Sequence, residues 1–121
     1  MRESGEMYLE TILTLTNEGK RVRAIDVAER MKLTKASVSR ALSRLKNESC
    51  ILVDQSGSIT LTTTGAAVAE KIFERHHVLT DLLVSFGVSP DTAVQDACKI
   101  EHDISDESFE RIKKHLKLTS G

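Results

Sequence analysis

One short pair of β-prone runs interrupts a chain otherwise patterned for helices, and that interruption limits the folds open to it. Ile51-Leu52-Val53 and Ile59-Thr60-Leu61-Thr62 flank Asp54-Gln55-Ser56-Gly57-Ser58, which reads as a single hairpin with a polar glycine tip. The rest of the chain favours packed helices. Only 3% of its 121 residues are aromatic while 40% are hydrophobic, so the core is built from Leu, Ile, Val and Ala rather than sandwich-forming aromatics. Pro90, the single proline, leaves most of the sequence free to be helical.

Residues 4–17 place Met7, Leu9, Ile12, Leu13 and Leu15 near one side of a helix, and Glu18-Gly19-Lys20 supplies its stop. Val22 and Ala24 lead, extended, into a compact helix from Ala24 to Met31. Thr34 then caps a helix over 35–47, with Val38, Leu42 and Leu45 at spacings of four and three. Beyond the hairpin, Thr64-Gly65 opens a long helix to about Phe86. Ser89 and Pro90 start the next, over 91–102, and Ser105 to Ser108 start the last, which runs to about Leu116 before a Thr119-Ser120-Gly121 tail. The expected fold is mainly α: a winged helix-turn-helix followed by a helical half.

Charge points to a partner for the first half. Residues 20–46 hold nine Lys/Arg against Asp26 and Glu29, a net +7, in a chain whose overall charge is −1. A basic patch on a neutral protein is an electrostatic footprint for nucleic acid. The second helix of the motif presents Thr34, Lys35, Ser37, Ser39, Arg40, Ser43 and Arg44: hydroxyls that permit close approach, and cations for phosphate or guanine. Arg40 is the candidate for a base-edge contact, with Lys35 and Arg44 on phosphates. The expected partner is double-stranded DNA, against the plainer reading of a solvated basic face. No apolar run approaches the ~18 residues of a membrane span, and MRESGEMYLE has no signal-peptide core, so a cytoplasmic chain with no membrane partner is expected. Two cysteines, Cys50 and Cys98, make no disulfide framework. Cys50 is most simply core.

The helical half carries a second chemistry. Cys98, Glu101 and His102 stand at i, i+3 and i+4, so on a helix they share one face. Thiolate, carboxylate and imidazole together favour a divalent transition metal over calcium or magnesium. The same spacing also suits a buried structural cysteine beside a surface Glu-His pair. Met7 and Glu10 at i,i+3, with Glu74 and His76 on the long helix, tilt the balance toward metal.

Glu6-Met7-Tyr8-Leu9-Glu10, the winged motif, Thr62-Thr63-Thr64-Gly65, Arg75-His76 and Cys98-x-x-Glu101-His102 occur in the order found in the diphtheria-toxin-repressor family of metal-dependent regulators. The chain resembles that family from about residue 5 to residue 116. The resemblance implies a DNA-binding domain over 1–63 and a metal-binding and dimerisation domain over 64–121, without the SH3-like domain of larger members. It implies that Met7, Cys98, Glu101 and His102 form the site that triggers DNA binding, with sulfur at two positions pointing to Fe(II) rather than Mn(II). Glu10 and His76 form a possible second site with Glu101, as in the manganese branch. Thr80 and Val94 stand where ancillary ligands would be, so that site is expected to be absent or rebuilt. The implied function is a homodimeric repressor, not an enzyme, that binds a palindromic operator and controls metal-homeostasis genes. Val88, Val94, Ala97, Ile100, Ile104, Phe109, Ile112 and Leu116 would supply the dimer surface. A metal-independent regulator and a thiol-redox regulator using Cys98 are the alternatives.

Overall fold

A computed structural model describes residues 3–120. The elements follow in the order α1 (Glu3–Asn17), α2 (Ala24–Met31), α3 (Lys35–Asn47), β1 (Ile51–Val53), β2 (Ile59–Leu61), α4 (Thr63–Ser85), α5 (Pro90–Ile100) and α6 (Asp106–Ser120). The chain divides between Glu70 and Lys71 into two compact units, with α4 running through the boundary.

The first unit is a winged helix-turn-helix. Leu9, Ile12 and Leu15 of α1 meet Val27 of α2, Val38 and Leu45 of α3, and Ile51 and Ile59 of the hairpin in one core. Their helical spacing gives each helix a single inward stripe, as the periodicity requires. The strands pair antiparallel, Ile51 opposite Leu61 and Val53 opposite Ile59. The Ile59 amide also donates to the Val22 carbonyl at 2.8 Å, so the extended segment before α2 lies against β2. Between α2 and α3, Lys32 takes a left-handed conformation (φ 56°). The Leu33 amide closes on the Ala28 carbonyl at 3.1 Å. Thr34 then caps α3, its hydroxyl accepting from the Ser37 amide at 3.2 Å.

α4 starts one residue earlier than the expected Thr64. Thr62 is its cap: Thr62 Oγ1 accepts the Gly65 amide at 3.1 Å and donates to the Ser49 carbonyl at 2.6 Å. The Thr62 amide donates to the Cys50 carbonyl at 3.0 Å. The first turn of α4 is thereby fastened onto the backbone that leads into the wing.

The second unit packs the rest of α4 with α5 and α6. Ile72, Leu79, Ala93, Ala97 and Phe109 are buried. Ser89 precedes α5 as expected, but its hydroxyl donates to Thr92 Oγ1 at 3.1 Å instead of accepting a backbone amide. Ser105 does cap α6, accepting the Ser108 amide at 3.1 Å. α6 continues to Ser120, past the expected end at Leu116, because no glycine or proline intervenes before Gly121. Two members of the expected dimer surface are corrected. Ala97 is fully buried and Phe109 is 3% exposed, because both serve this unit's own core. Val94 and Ile100 stay exposed, as do Val84 and Phe86.

Candidate metal centre and nucleic-acid interface

The ligand candidates of the second unit converge where α4 meets the end of α5. His76 sits on α4 and Cys98 in the last turn of α5, which ends at Ile100 rather than 102. Glu101 is the residue after that helix, still in right-handed conformation, and its amide donates to the Ala97 carbonyl at 2.9 Å. Glu101 therefore keeps the i,i+3 relation to Cys98, while His102 falls in the turn beyond.

One ligand atom each from His76, Cys98 and Glu101 lies within 4.8 Å of the others. His76 Nδ1 is 2.9 Å from Glu101 Oε2 and 3.8 Å from Cys98 Sγ. Such separations suit a single ion bonded at about 2.0–2.3 Å to each donor. Glu101 is wholly buried, and its second oxygen, Oε1, makes no hydrogen bond. That oxygen lies 3.4 Å from Nε2 of His102, whose side chain is 1% exposed. A buried carboxylate is costly unless paired or bound to a cation, and its neighbours here are imidazoles and a thiol. The donor set fits a divalent transition metal.

Arg75, next to His76, is the residue that sequence reasoning used only as part of a motif. It is 5% exposed. Its Nη1 donates to the carbonyls of Glu101 (3.2 Å) and Ile104 (2.7 Å), and its Nη2 to Asp106 Oδ1. Its guanidinium also lies 5.4 Å from the centre of the Phe109 ring. Arg75 thus satisfies two carbonyls of the segment between α5 and α6, and it fixes the backbone that carries Glu101. The only hint in the sequence was an arginine one residue from a ligand. Asp106, bound by Lys71 and Arg75, is held below the usual carboxylate range, mainly by the Lys71 ammonium. Arg75→Leu is expected to cost about 3 kcal/mol in chemical denaturation, since one buried and one part-buried carbonyl lose a charged donor. Metal affinity should fall with it although no ligand is removed.

The other expected ligands are placed as follows. Met7 and Glu10 lie on α1 of the first unit, Met7 exposed and Glu10 half-buried. Glu74 is engaged elsewhere, 3.0 Å from Lys113 Nζ on α6. Thr80 donates its hydroxyl to the His76 carbonyl at 2.7 Å, and Val94 is exposed. His77 packs edge-on against Phe73 at 4.4 Å. Cys50 is buried in the first unit, and burial raises its thiol pKa.

On α3, Thr34, Lys35, Ser39, Arg40, Ser43 and Arg44 are exposed and Ser37 is half-buried. Thr34 and Ser37 are joined through the cap, their hydroxyls 3.0 Å apart, so both shape the helix start. Ser39, Arg40, Ser43 and Arg44 line one open groove. Ser39, Ser43 and Lys46 line a second, of about 270 Å³, with Val53, Gly57 and Ile59 of the wing. Three cations of the basic patch have protein partners, Lys20 lying 3.7 Å from a Glu18 carboxylate oxygen. Arg30 forks onto Glu18 at 2.7 and 2.9 Å, lowering the pKa of that carboxyl, and Arg21 binds the wing serines. The surface that remains, a basic hydroxyl-rich helix beside a small polar wing, has the chemistry that DNA backbone and groove edges require.

Residues 1–55 match the family profile described as the iron dependent repressor N-terminal DNA binding domain, and residues 62–119 that described as its metal binding and dimerisation domain. The diphtheria toxin repressor of Corynebacterium diphtheriae is 31% identical over 98% of this chain, which spans about half (53%) of that protein. An HTH-type transcriptional regulator of Methanocaldococcus jannaschii is 33% identical over 93% of this chain and 92% of its own length. Among solved structures, a manganese-dependent transcriptional repressor in complex with manganese superposes with a TM-score of 0.85 at 28% identity, covering 93% of this chain and 52% of that one. No described helix is long and apolar enough to cross a membrane. With both halves matched and a full-length relative at 33% identity, the chain belongs to the iron-dependent repressor family, that of the diphtheria toxin repressor.

Proposed function

We propose that this chain is a metal-activated transcriptional repressor that binds a palindromic duplex operator as a homodimer in the cytoplasm and controls genes of metal homeostasis. It is a regulator and not an enzyme. The observation that carries the reading is the convergence of His76, Cys98 and the fully buried Glu101 within 4.8 Å. These residues would hold the ion, with His102 on the second oxygen of Glu101, and Met7 and Glu10 of α1 are proposed as further donors. Bound there, the ion supplies positive charge to a buried carboxylate and cross-links its ligands. Metal occupancy would then be coupled to DNA binding, because ordering already achieved is not charged again to DNA binding.

The activating ion proposed is Fe(II), on the softness of Cys98 and Met7. Mn(II) is the second reading, supported by Glu10 and by the two imidazoles on opposite oxygens of Glu101. The exposed Val84, Phe86, Val94 and Ile100 support a dimer, since they leave apolar area for a second copy to cover. The test is anaerobic DNA binding with Fe(II), with Mn(II) and with a chelator. Affinity should rise at least ~10-fold with the correct ion, the lower range of a typical allosteric coupling. Equal binding in chelator would leave a metal-independent regulator.

A further inference from the structure

We propose that Arg21 is a positioning residue that sets the wing for DNA, acting through Ser56 and Ser58 rather than as a phosphate contact; this rests on the DNA-binding reading above. Arg21 lies in the extended segment between α1 and α2. Its neighbour Val22 is 3% exposed, and the Val22 carbonyl holds the Ile59 amide at 2.8 Å. Alternation along extended backbone turns Val22 inward and Arg21 outward, beside the wing. There Arg21 Nε donates to Ser58 Oγ and Nη2 to Ser56 Oγ.

The serines are themselves fixed. Asp54 Oδ1 accepts the Ser56 amide (2.9 Å), the Ser56 hydroxyl (2.8 Å) and the Ser58 amide (2.9 Å). Ser56 Oγ thus gives its single proton to Asp54 and receives one from Arg21, which defines both directions of that hydroxyl. The Ser56 hydroxyl, foremost, and the Ser58 amide hold the Asp54 carboxyl below its usual range, and the Arg21 charge adds to this. Gly57 completes the turn at φ 85°, its amide on the Asp54 carbonyl at 3.0 Å. Each strand has only three residues, and a hairpin of that size has little order of its own. A guanidinium reaching in from another segment supplies it. A wing ordered before DNA arrives loses less freedom on binding.

The experiment compares wild type, Arg21→Lys, Arg21→Ala and Ser56→Ala/Ser58→Ala on a duplex that the wild-type protein selects from a random-sequence pool. Lysine keeps the charge but loses the planar fork. Arg21→Lys should weaken binding about fivefold, close to the effect of Arg21→Ala, through lost pre-organisation. Neither variant should lower the salt slope by the ~0.9 that a lost phosphate contact would remove. The serine double variant should show the same loss, and adding Arg21→Lys to it should change little. In free protein, the amides of Ser56, Gly57 and Ser58 should exchange faster in Arg21→Lys than in wild type. Wild-type affinity in Arg21→Lys overturns the proposal, as does weakened binding with unchanged wing exchange. A wild-type protein that selects no duplex overturns the DNA-binding reading as well.

Discussion

Gly65→Ala is expected to destabilise the winged unit by about 3 kcal/mol or more, although alanine is the better helix former by ~1 kcal/mol. A Cβ at position 65 would stand 1.9 Å from the Cys50 carbonyl oxygen and 2.9 Å from its carbon. These are backbone atoms, and the same carbonyl receives the Thr62 amide at 3.0 Å, so neither side can give way cheaply. Relief requires moving the first turn of α4 off the wing, which also breaks the Thr62 cap onto Ser49 and Gly65. At ~4–8 °C per kcal/mol for domains of this scale, the midpoint of thermal unfolding should fall by more than ~10 °C. A stabilised or unchanged Gly65→Ala would show that the close approach does not exist in solution.

Glu101→Gln is the second substitution with a large expected effect, this time on ligand binding. Glutamine preserves shape while removing the charge that His76 and His102 face from opposite sides. Metal affinity should drop at least ~100-fold, since loss of even an outer-shell partner can cost that much. The wild-type protein should gain thermal stability on adding ion by mass action, and Glu101→Gln should not. Without metal the variant should remain folded, because the amide no longer demands a counter-charge in a buried site. Circular dichroism of both proteins with and without ion separates these outcomes. Equal metal-induced shifts would remove Glu101 from the ligand set.

The boundaries of α3 were legible because it carries its own punctuation. Thr34 caps α3, and Val38, Leu42 and Leu45 repeat at the helical period. The hairpin was legible from β-prone runs around a glycine tip. What escaped was decided by contacts between segments remote in sequence. Arg21 reads as one more cation of a basic patch, yet its partners lie 35 and 37 residues away. Arg75 reads as a motif letter, yet it fastens carbonyls 26 and 29 residues on. In the metal centre, spacing alone grouped Cys98, Glu101 and His102, whereas the fold brings His76 to Cys98 and Glu101. Helical periodicity does not reveal which side of a long α4 meets the end of α5. The expected helix over 91–102 also ran two residues too far, since Glu101 is the cap of α5 and a turn follows it.

The most direct test of metal control is an anaerobic Co(II) titration in which thiolate absorption and DNA binding are read on the same sample. Co(II) serves as a spectroscopic stand-in for Fe(II), adjacent to it in affinity order. Under metal control, sulfur-to-cobalt charge-transfer absorption and DNA binding should rise together and saturate together, and Cys98→Ser should abolish the absorption and weaken the DNA response. DNA binding that is complete before any cobalt is bound, or cobalt bound without thiolate absorption in the wild-type protein, would contradict it.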